Sequence, residues 1–281
     1  MLAERLKEAD VAVNIRGRTR FTDPILSLSP NLKLISIWGT GTDNVELNAA
    51  AARGITVTNT PGANAVAVAE QTVAMMLGVV KQLAQADQAM RQGGWPRNLV
   101  IQLRGKRLGL IGTGLIGREV AAMCKGLGME VVAWTYHPNP ALVSTVGLKY
   151  VELDELLRTS DIVSMHLRAT PEAHHFLNRD RLALLKPTAF IVNTARGALI
   201  DESALVEWLR EKRIAGAGLD VYETEPLPAG HPLATLPNAL LTSHCAGMTP
   251  DSNLIGLAMA AENIELFLKG SPRFVVVGPK K

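Results

Sequence analysis

The sequence predicts the α/β class, with a doubly wound parallel sheet and a second, smaller α/β unit. Two observations carry this. Short β-branched apolar runs alternate with helical patterns, as right-handed βαβ crossovers require. A chain of 281 residues, 47% hydrophobic and 20% charged, can also bury more than one modest core, so two domains are expected.

In chain order, residues 11–15, 34–37 and 55–58 read as strands. Residues 47–53 between them and 66–86 after them read as helices, completing the smaller unit. The stretch Arg91-Gln92-Gly93-Gly94-Trp95-Pro96-Arg97 interrupts the pattern with glycines and a proline, which places a boundary near residue 90. Six further strands follow, at 108–111, 130–134, 162–166, 190–193, 216–220 and 239–242, enough for a doubly wound sheet. An amphipathic helix over 251–268 is expected to return to the first unit. The expected domains are therefore 1–89 completed by 252–281, and 90–251. No internal repeat or low-complexity tract is present.

The bulk properties exclude several function classes. The net charge of +3 comes from 29 basic and 26 acidic residues interspersed along the chain, with no basic block for a nucleic acid. Cys124 and Cys245, the two cysteines, show neither disulfide nor metal-site spacing, which fits a reducing, cytoplasmic compartment. The first residues, Met1 to Glu8, are charged and lack the apolar core of a signal peptide. The most apolar stretch, Ala63 to Val80, contains Glu70 and Gln71 and is too short to span a bilayer, so no membrane role is expected.

Leu108-Gly109-Leu110-Ile111 runs into Gly112-Thr113-Gly114-Leu115-Ile116-Gly117 and then into a helical pattern. This is G-x-G-x-x-G between a strand and a helix, the dinucleotide-binding arrangement of a Rossmann domain. Gly112 makes the tight turn, Gly114 lets backbone approach a pyrophosphate, and Gly117 lets the helix pack on the strand. The helix N-terminus supplies N–H groups to the anion. The acidic residue expected about 20 positions on, to hold a ribose 2′-hydroxyl, is missing. Thr135, Tyr136 and His137 stand there instead, so NAD and NADP are both admissible.

Arg196 follows the strand at 190–193, at the edge where doubly wound sheets bind ligands. It suits a bidentate grip on a carboxylate, or an ordinary surface ion pair. Asp220, Glu223 and Glu225 follow the next strand, and one of them beside a histidine would orient its ring. His244 ends the last strand, where an imidazole can serve as proton donor to a carbonyl under reduction, or stay structural. Three strand ends of one sheet would bring these groups to the crevice that holds the glycine loop.

With these residues in order, the sequence resembles the D-isomer-specific 2-hydroxyacid dehydrogenases, which include D-3-phosphoglycerate dehydrogenases and glyoxylate/hydroxypyruvate reductases. The resemblance covers nearly the whole chain. It rests on Gly39-Thr40-Gly41-Thr42-Asp43-Asn44, Thr58-Asn59-Thr60-Pro61-Gly62, Val68-Ala69-Glu70, the Gly112–Gly117 loop and Thr170-Pro171-Glu172. It continues through residues 192–201, Leu219-Asp220-Val221, Glu225-Pro226 and His244. The resemblance implies that Arg196 orients a keto acid, His244 is the acid/base and Glu225 its partner. It implies substrate carboxylate contacts from backbone at Gly39, Thr40 and Gly41. It also implies that Leu115 and Ile116 lie on the pyrophosphate, Thr135 faces the adenosine ribose, and Thr194, Ala195, Asp220 and Gly247 line the nicotinamide end. A flavodoxin-like substrate domain and a homodimer formed through the cofactor domain are implied too. Against the family pattern, the smaller domain is expected to be shortened at its N-terminus. No C-terminal regulatory domain, and hence no serine feedback, is expected.

Other residues have plainer readings. Cys245 is expected to point away from His244, and no thiol nucleophile is expected. His137, His166, His174, His175 and His231 lack ligand spacing, so no metal is expected, and His174 and His175 read as polar surface. Trp38, Trp95, Trp134, Trp208, Met75 and Met76 read as packing. Beside the enzyme stand two alternatives, a cofactor-sensing binding protein of corepressor type and an inactive, shortened homologue. An intact Arg196, Glu225 and His244 argues against the sensor, which needs no proton donor.

Overall fold

The computed structural model describes residues 2–15 and 19–278. The chain runs through α1 (Leu2–Leu6), β1 (Val11–Ile15), α2 (Asp23–Ser27), β2 (Leu34–Trp38), α3 (Leu47–Ala52), β3 (Thr56–Thr58), α4 (Ala65–Val80) and α5 (Leu83–Arg91). There follow β4 (Arg107–Ile111), α6 (Leu115–Gly126), β5 (Glu130–Trp134), α7 (Ala141–Thr145), β6 (Lys149–Tyr150), α8 (Leu153–Thr159), β7 (Ile162–Met165) and α9 (Arg179–Leu182). The last elements are β8 (Phe190–Asn193), α10 (Glu202–Arg210), β9 (Gly216–Leu219), β10 (Ala239–Leu241), α11 (Pro250–Leu268) and β11 (Val275–Val277).

Two compact units result. One comprises the described residues of Met1–Asn64 and Met248–Lys281, the other Ala65–Gly247. The boundary expected near residue 90 falls instead after Asn64, whereas the chain returns to the first unit at Met248, close to the expected residue 252. α4 belongs to the second unit because Met75, Met76, Val79 and Val80 are buried in one cluster with Leu108, Val120 and Val192. The single helix expected over 66–86 is two helices. Gln82 takes a left-handed conformation at φ +54° between them, and they are bent by 62°. No Gly or Pro marks that break, so the local pattern hid it.

In the first unit the sheet order is β1-β2-β3-β11, with β11 antiparallel to β3. α11 begins on a capping box, in which the Thr249 and Ser252 side chains each accept from the other's backbone N–H, with Pro250 in its first turn. It packs on β2, where the Ser36 hydroxyl donates to the Ala260 carbonyl at 3.1 Å. β11 was not foreseen.

In the second unit the order is β10-β9-β8-β7-β4-β5-β6, all parallel. β7, β8 and β9 are buried at every position, which is why their sequences lack the polar/apolar alternation of a half-exposed sheet. The strand order reverses at β4 and β7, the place where open α/β sheets hold ligands. β6 escaped sequence reading because it has only two residues. Among the described residues no single helix is long and apolar enough to cross a membrane.

Candidate active site

The glycine loop lies between β4 and α6. Gly112 has φ +102°, and a Cβ there would stand 2.6 Å from the His166 carbonyl oxygen. A Cβ on Gly117 would stand 2.3 Å from the Gly112 carbonyl oxygen. Both glycines therefore serve close packing of the loop on β7 and α6. Gly114 differs, because nothing lies within 4 Å of its Cβ position. No protein atom demands a glycine there, and the open space is what a pyrophosphate needs. Arg118 N–H is the first in α6 to bond back, to the Gly114 carbonyl, so the N–H groups of Leu115, Ile116 and Gly117 have no helical partner. This donor set fits the phosphates of a dinucleotide.

The Gly112 N–H donates to the Trp134 carbonyl at 2.8 Å, which brings the end of β5 beside the loop. Thr135, Tyr136 and His137 follow, as the sequence indicated, with no carboxylate among them.

Past β8, Asn193 shapes the next turn. Its side chain accepts from the Ala195 N–H at 3.0 Å and donates to the Arg196 carbonyl at 2.8 Å. Arg196 is thereby placed at the sheet edge, and one of its guanidinium nitrogens donates to the Ala195 carbonyl. Thr194 is buried, with its hydroxyl 2.7 Å from that of Thr72 on α4.

His244 Nδ1 lies 2.6 Å from Glu225 Oε2. The other carboxylate oxygen, Oε1, accepts from the Tyr222 N–H at 3.1 Å, so the acid is held at both ends. Burial pushes the Glu225 carboxyl up. The hydrogen bonds from His244 and Tyr222 and the charges of His244 and Arg196 outweigh it and hold the group below the ordinary carboxylate range. An anion is thus fixed on Nδ1, leaving Nε2 as the ring atom that can exchange a proton.

His244 has φ +52°, a left-handed conformation uncommon outside glycine. Its N–H donates to the Asp220 carbonyl at 2.7 Å. The Asp220 carboxylate accepts from Cys245 N–H at 3.0 Å, Ala246 N–H at 2.9 Å and the Thr242 hydroxyl. Asp220 is fully buried, and sequence reading had no signal for this clamp. The Cys245 thiol also donates toward Asp220.

His174 is exposed and His175 partly so, and His175 is paired. Its Nε2 lies 2.6 Å from Glu223 Oε1, and its ring stacks on His174. His231 Nε2 lies 3.3 Å from Glu202. Among the described residues no group of three or more His, Cys, Asp or Glu side chains is arranged to hold a metal ion. Gly39, Thr40 and Gly41 belong to the other unit, where Gly39 N–H donates to the Thr60 hydroxyl and Asn59 donates to the Thr40 carbonyl.

Comparison with known proteins agrees with this geometry. The sequence model of the D-isomer specific 2-hydroxyacid dehydrogenase NAD-binding domain matches residues 73–246. A glyoxylate reductase of Aeropyrum pernix is 39% identical over 278 residues, 96% of this chain and 83% of that one. A D-3-phosphoglycerate dehydrogenase of Archaeoglobus fulgidus is 37% identical over 263 residues, 93% of this chain and 50% of the relative, so the chain spans about half the length of that protein. The solved D-lactate dehydrogenase of Aquifex aeolicus, complexed with NAD and lactic acid, superposes with a TM-score of 0.90 at 32% identity, covering 99% of this chain and 90% of that one. From the glycine loop through the His244 turn, and in relatives along nearly its full length, this chain belongs to the D-isomer specific 2-hydroxyacid dehydrogenase family.

Proposed function

We propose that the protein is a nicotinamide-dependent oxidoreductase that interconverts a D-2-hydroxy acid and its 2-keto acid. The observation that carries this reading is the His244–Glu225 pair, with Arg196 acting on the same carboxylate, on the sheet that bears the glycine loop.

Each residue then has a task. Gly112, Gly114, Leu115, Ile116 and Gly117 hold the pyrophosphate of NAD or NADP, and Thr135 faces the adenosine ribose. Thr194, Ala195 and Gly247 line the nicotinamide end, and Asp220 shapes that end through the turn it clamps. When bound, the nicotinamide supplies or accepts the hydride at C2 of the acid. Arg196 orients the acid through a planar, bidentate guanidinium contact. His244 Nε2 gives a proton to the carbonyl oxygen in reduction and takes it from the hydroxyl in oxidation. Glu225 steadies the imidazolium that exists before the proton leaves in one direction and after it arrives in the other. Backbone at Gly39, Thr40 and Gly41 is assigned to the substrate carboxylate on the strength of the family resemblance.

Glyoxylate, hydroxypyruvate and the 3-phosphoglycerate pair are the substrate classes that the reading covers. The working form is a homodimer joined through the cofactor domain. α5 buries none of its residues, and Leu83, Met90, Trp95 and Leu99 in and after it are exposed apolar groups available to a second copy. A cytoplasmic setting follows from the cysteine usage.

The test is to follow NADH and NADPH absorbance with glyoxylate, hydroxypyruvate, pyruvate and 3-phosphohydroxypyruvate. Oxidation with any pair supports the reading. Silence with all of them while both cofactors bind would remove the catalytic assignment.

A further inference from the structure

We propose that Tyr150 is a positioning residue for the adenosine half of the cofactor, an inference that rests on the dinucleotide reading above. Tyr150 ends β6, the outermost strand of the sheet, paired with Ala133 of β5. Its oxygen stands 3.1 Å from the Thr113 hydroxyl and accepts the Asn139 N–H at 3.1 Å. Thr113 is the second residue of the glycine loop, and Asn139 closes the segment that follows β5.

These contacts give the segment two anchors. At its start, the Trp134 carbonyl accepts the Gly112 N–H at 2.8 Å. At its end, Asn139 is tied through Tyr150 to Thr113. Thr135, Tyr136, His137 and Pro138 therefore span two points fixed to adjacent residues of the phosphate-binding loop. The middle is braced as well, because the Tyr136 ring meets Trp134 edge-on at 4.9 Å and Phe176 at 6.3 Å.

This segment is where the ribose hydroxyls of a dinucleotide are read in a doubly wound fold, and here it has no carboxylate to hold them. Without that charge, affinity depends on donors such as Thr135 being in place before the ligand arrives. The Tyr150 hydroxyl sets the distance between the pyrophosphate loop and those donors.

The experiment compares wild type with Tyr150→Phe, Thr113→Val and the double variant. Titration calorimetry with NADH, NADPH, AMP and NMN is combined with steady-state kinetics on the best substrate pair. Loss of one such hydrogen bond is worth about tenfold or less in affinity. Tyr150→Phe is expected to weaken cofactor and AMP by about 3- to 10-fold, with NMN binding unchanged and kcat at saturating cofactor within about twofold. The double variant should bind no more weakly than the weaker single one, because both remove the same contact. Unchanged AMP affinity in Tyr150→Phe, or equal weakening of AMP and NMN, would overturn the proposal, the second by showing a general loss of structure. If the wild-type protein binds neither NADH nor NADPH, the dinucleotide reading itself fails and takes this one with it. That outcome is separate from a difference between variants.

Discussion

The Asp220 carboxylate accepts the backbone N–H groups of both residues that follow His244, Cys245 at 3.0 Å and Ala246 at 2.9 Å. It stands 26 residues from Ala246 in sequence, at the end of β9, and is fully buried. The clamp offsets the strain of a histidine at φ +52° and aims its ring at Glu225. Asp220→Ala leaves two amide donors without acceptors. It should cost about 2–4 kcal/mol of stability and lower kcat besides. Urea unfolding measured beside turnover checks this, and a variant as stable as wild type would show that the turn holds itself.

His244→Ala should depress kcat by about 10²-fold or more, the usual scale for losing a general acid, while cofactor affinity stays near that of wild type. Glu225→Gln keeps the shape but loses the anion beside Nδ1, so kcat should fall at least about tenfold. Stopped-flow hydride transfer together with cofactor titration separates the two effects. Parallel losses in rate and cofactor affinity would reassign His244 to a structural role.

Arg196, Glu225 and His244, the residues proposed for catalysis, were legible as candidates because each follows one of three neighbouring parallel strands, β8, β9 and β10. The glycine loop was legible for the same reason. What could not be read was long-range. The clamp from Asp220 joins segments 25 and 26 residues apart, and no periodicity reports such a contact. The domain boundary was misplaced because the glycines near Gly93 look like a linker, whereas the packing of α4 on β8 and β9 decides its membership. Gln82 takes a left-handed conformation without glycine, so the break between α4 and α5 left no mark in the pattern.

Gly197, next to Arg196, is pressed against the backbone that leads to Glu225. A Cβ there would stand 1.9 Å from the Tyr222 carbonyl carbon and 2.4 Å from the Glu223 nitrogen. Backbone cannot yield as a side-chain tip can, so Gly197→Ala must push the Arg196 turn and the Glu225 segment apart. kcat/KM should fall by about 10²-fold, the scale for displacing a catalytic group by roughly 1 Å. Binding of AMP, which reports the glycine loop after β4, two strands away from β8 in the sheet, should persist. Retention of full kcat/KM in Gly197→Ala would show that the two segments need not touch.

His166 offers a prediction about pH. Burial pushes its imidazole down to about 4 from the ordinary 6.5, and its Nε2 lies 2.9 Å from the Ser164 hydroxyl. The folded protein therefore keeps the ring neutral where the unfolded chain takes up a proton. As pH falls below 6.5 the unfolded state binds more protons, so stability drops through the window down to about 4 and levels off below it. At pH 5 the loss should be on the order of 2 kcal/mol, an upper figure because the residue as a whole is partly exposed. Carboxylates held low, such as Asp161, lose their contribution only as pH falls through their own depressed values, so they act at the acid end of the range. The comparison is of urea midpoints at pH 7.5 and 5.0 for wild type and His166→Asn, with the variant expected to lose clearly less on acidification. Equal losses in both proteins would mean that His166 takes its proton in the folded state as readily as in the unfolded chain.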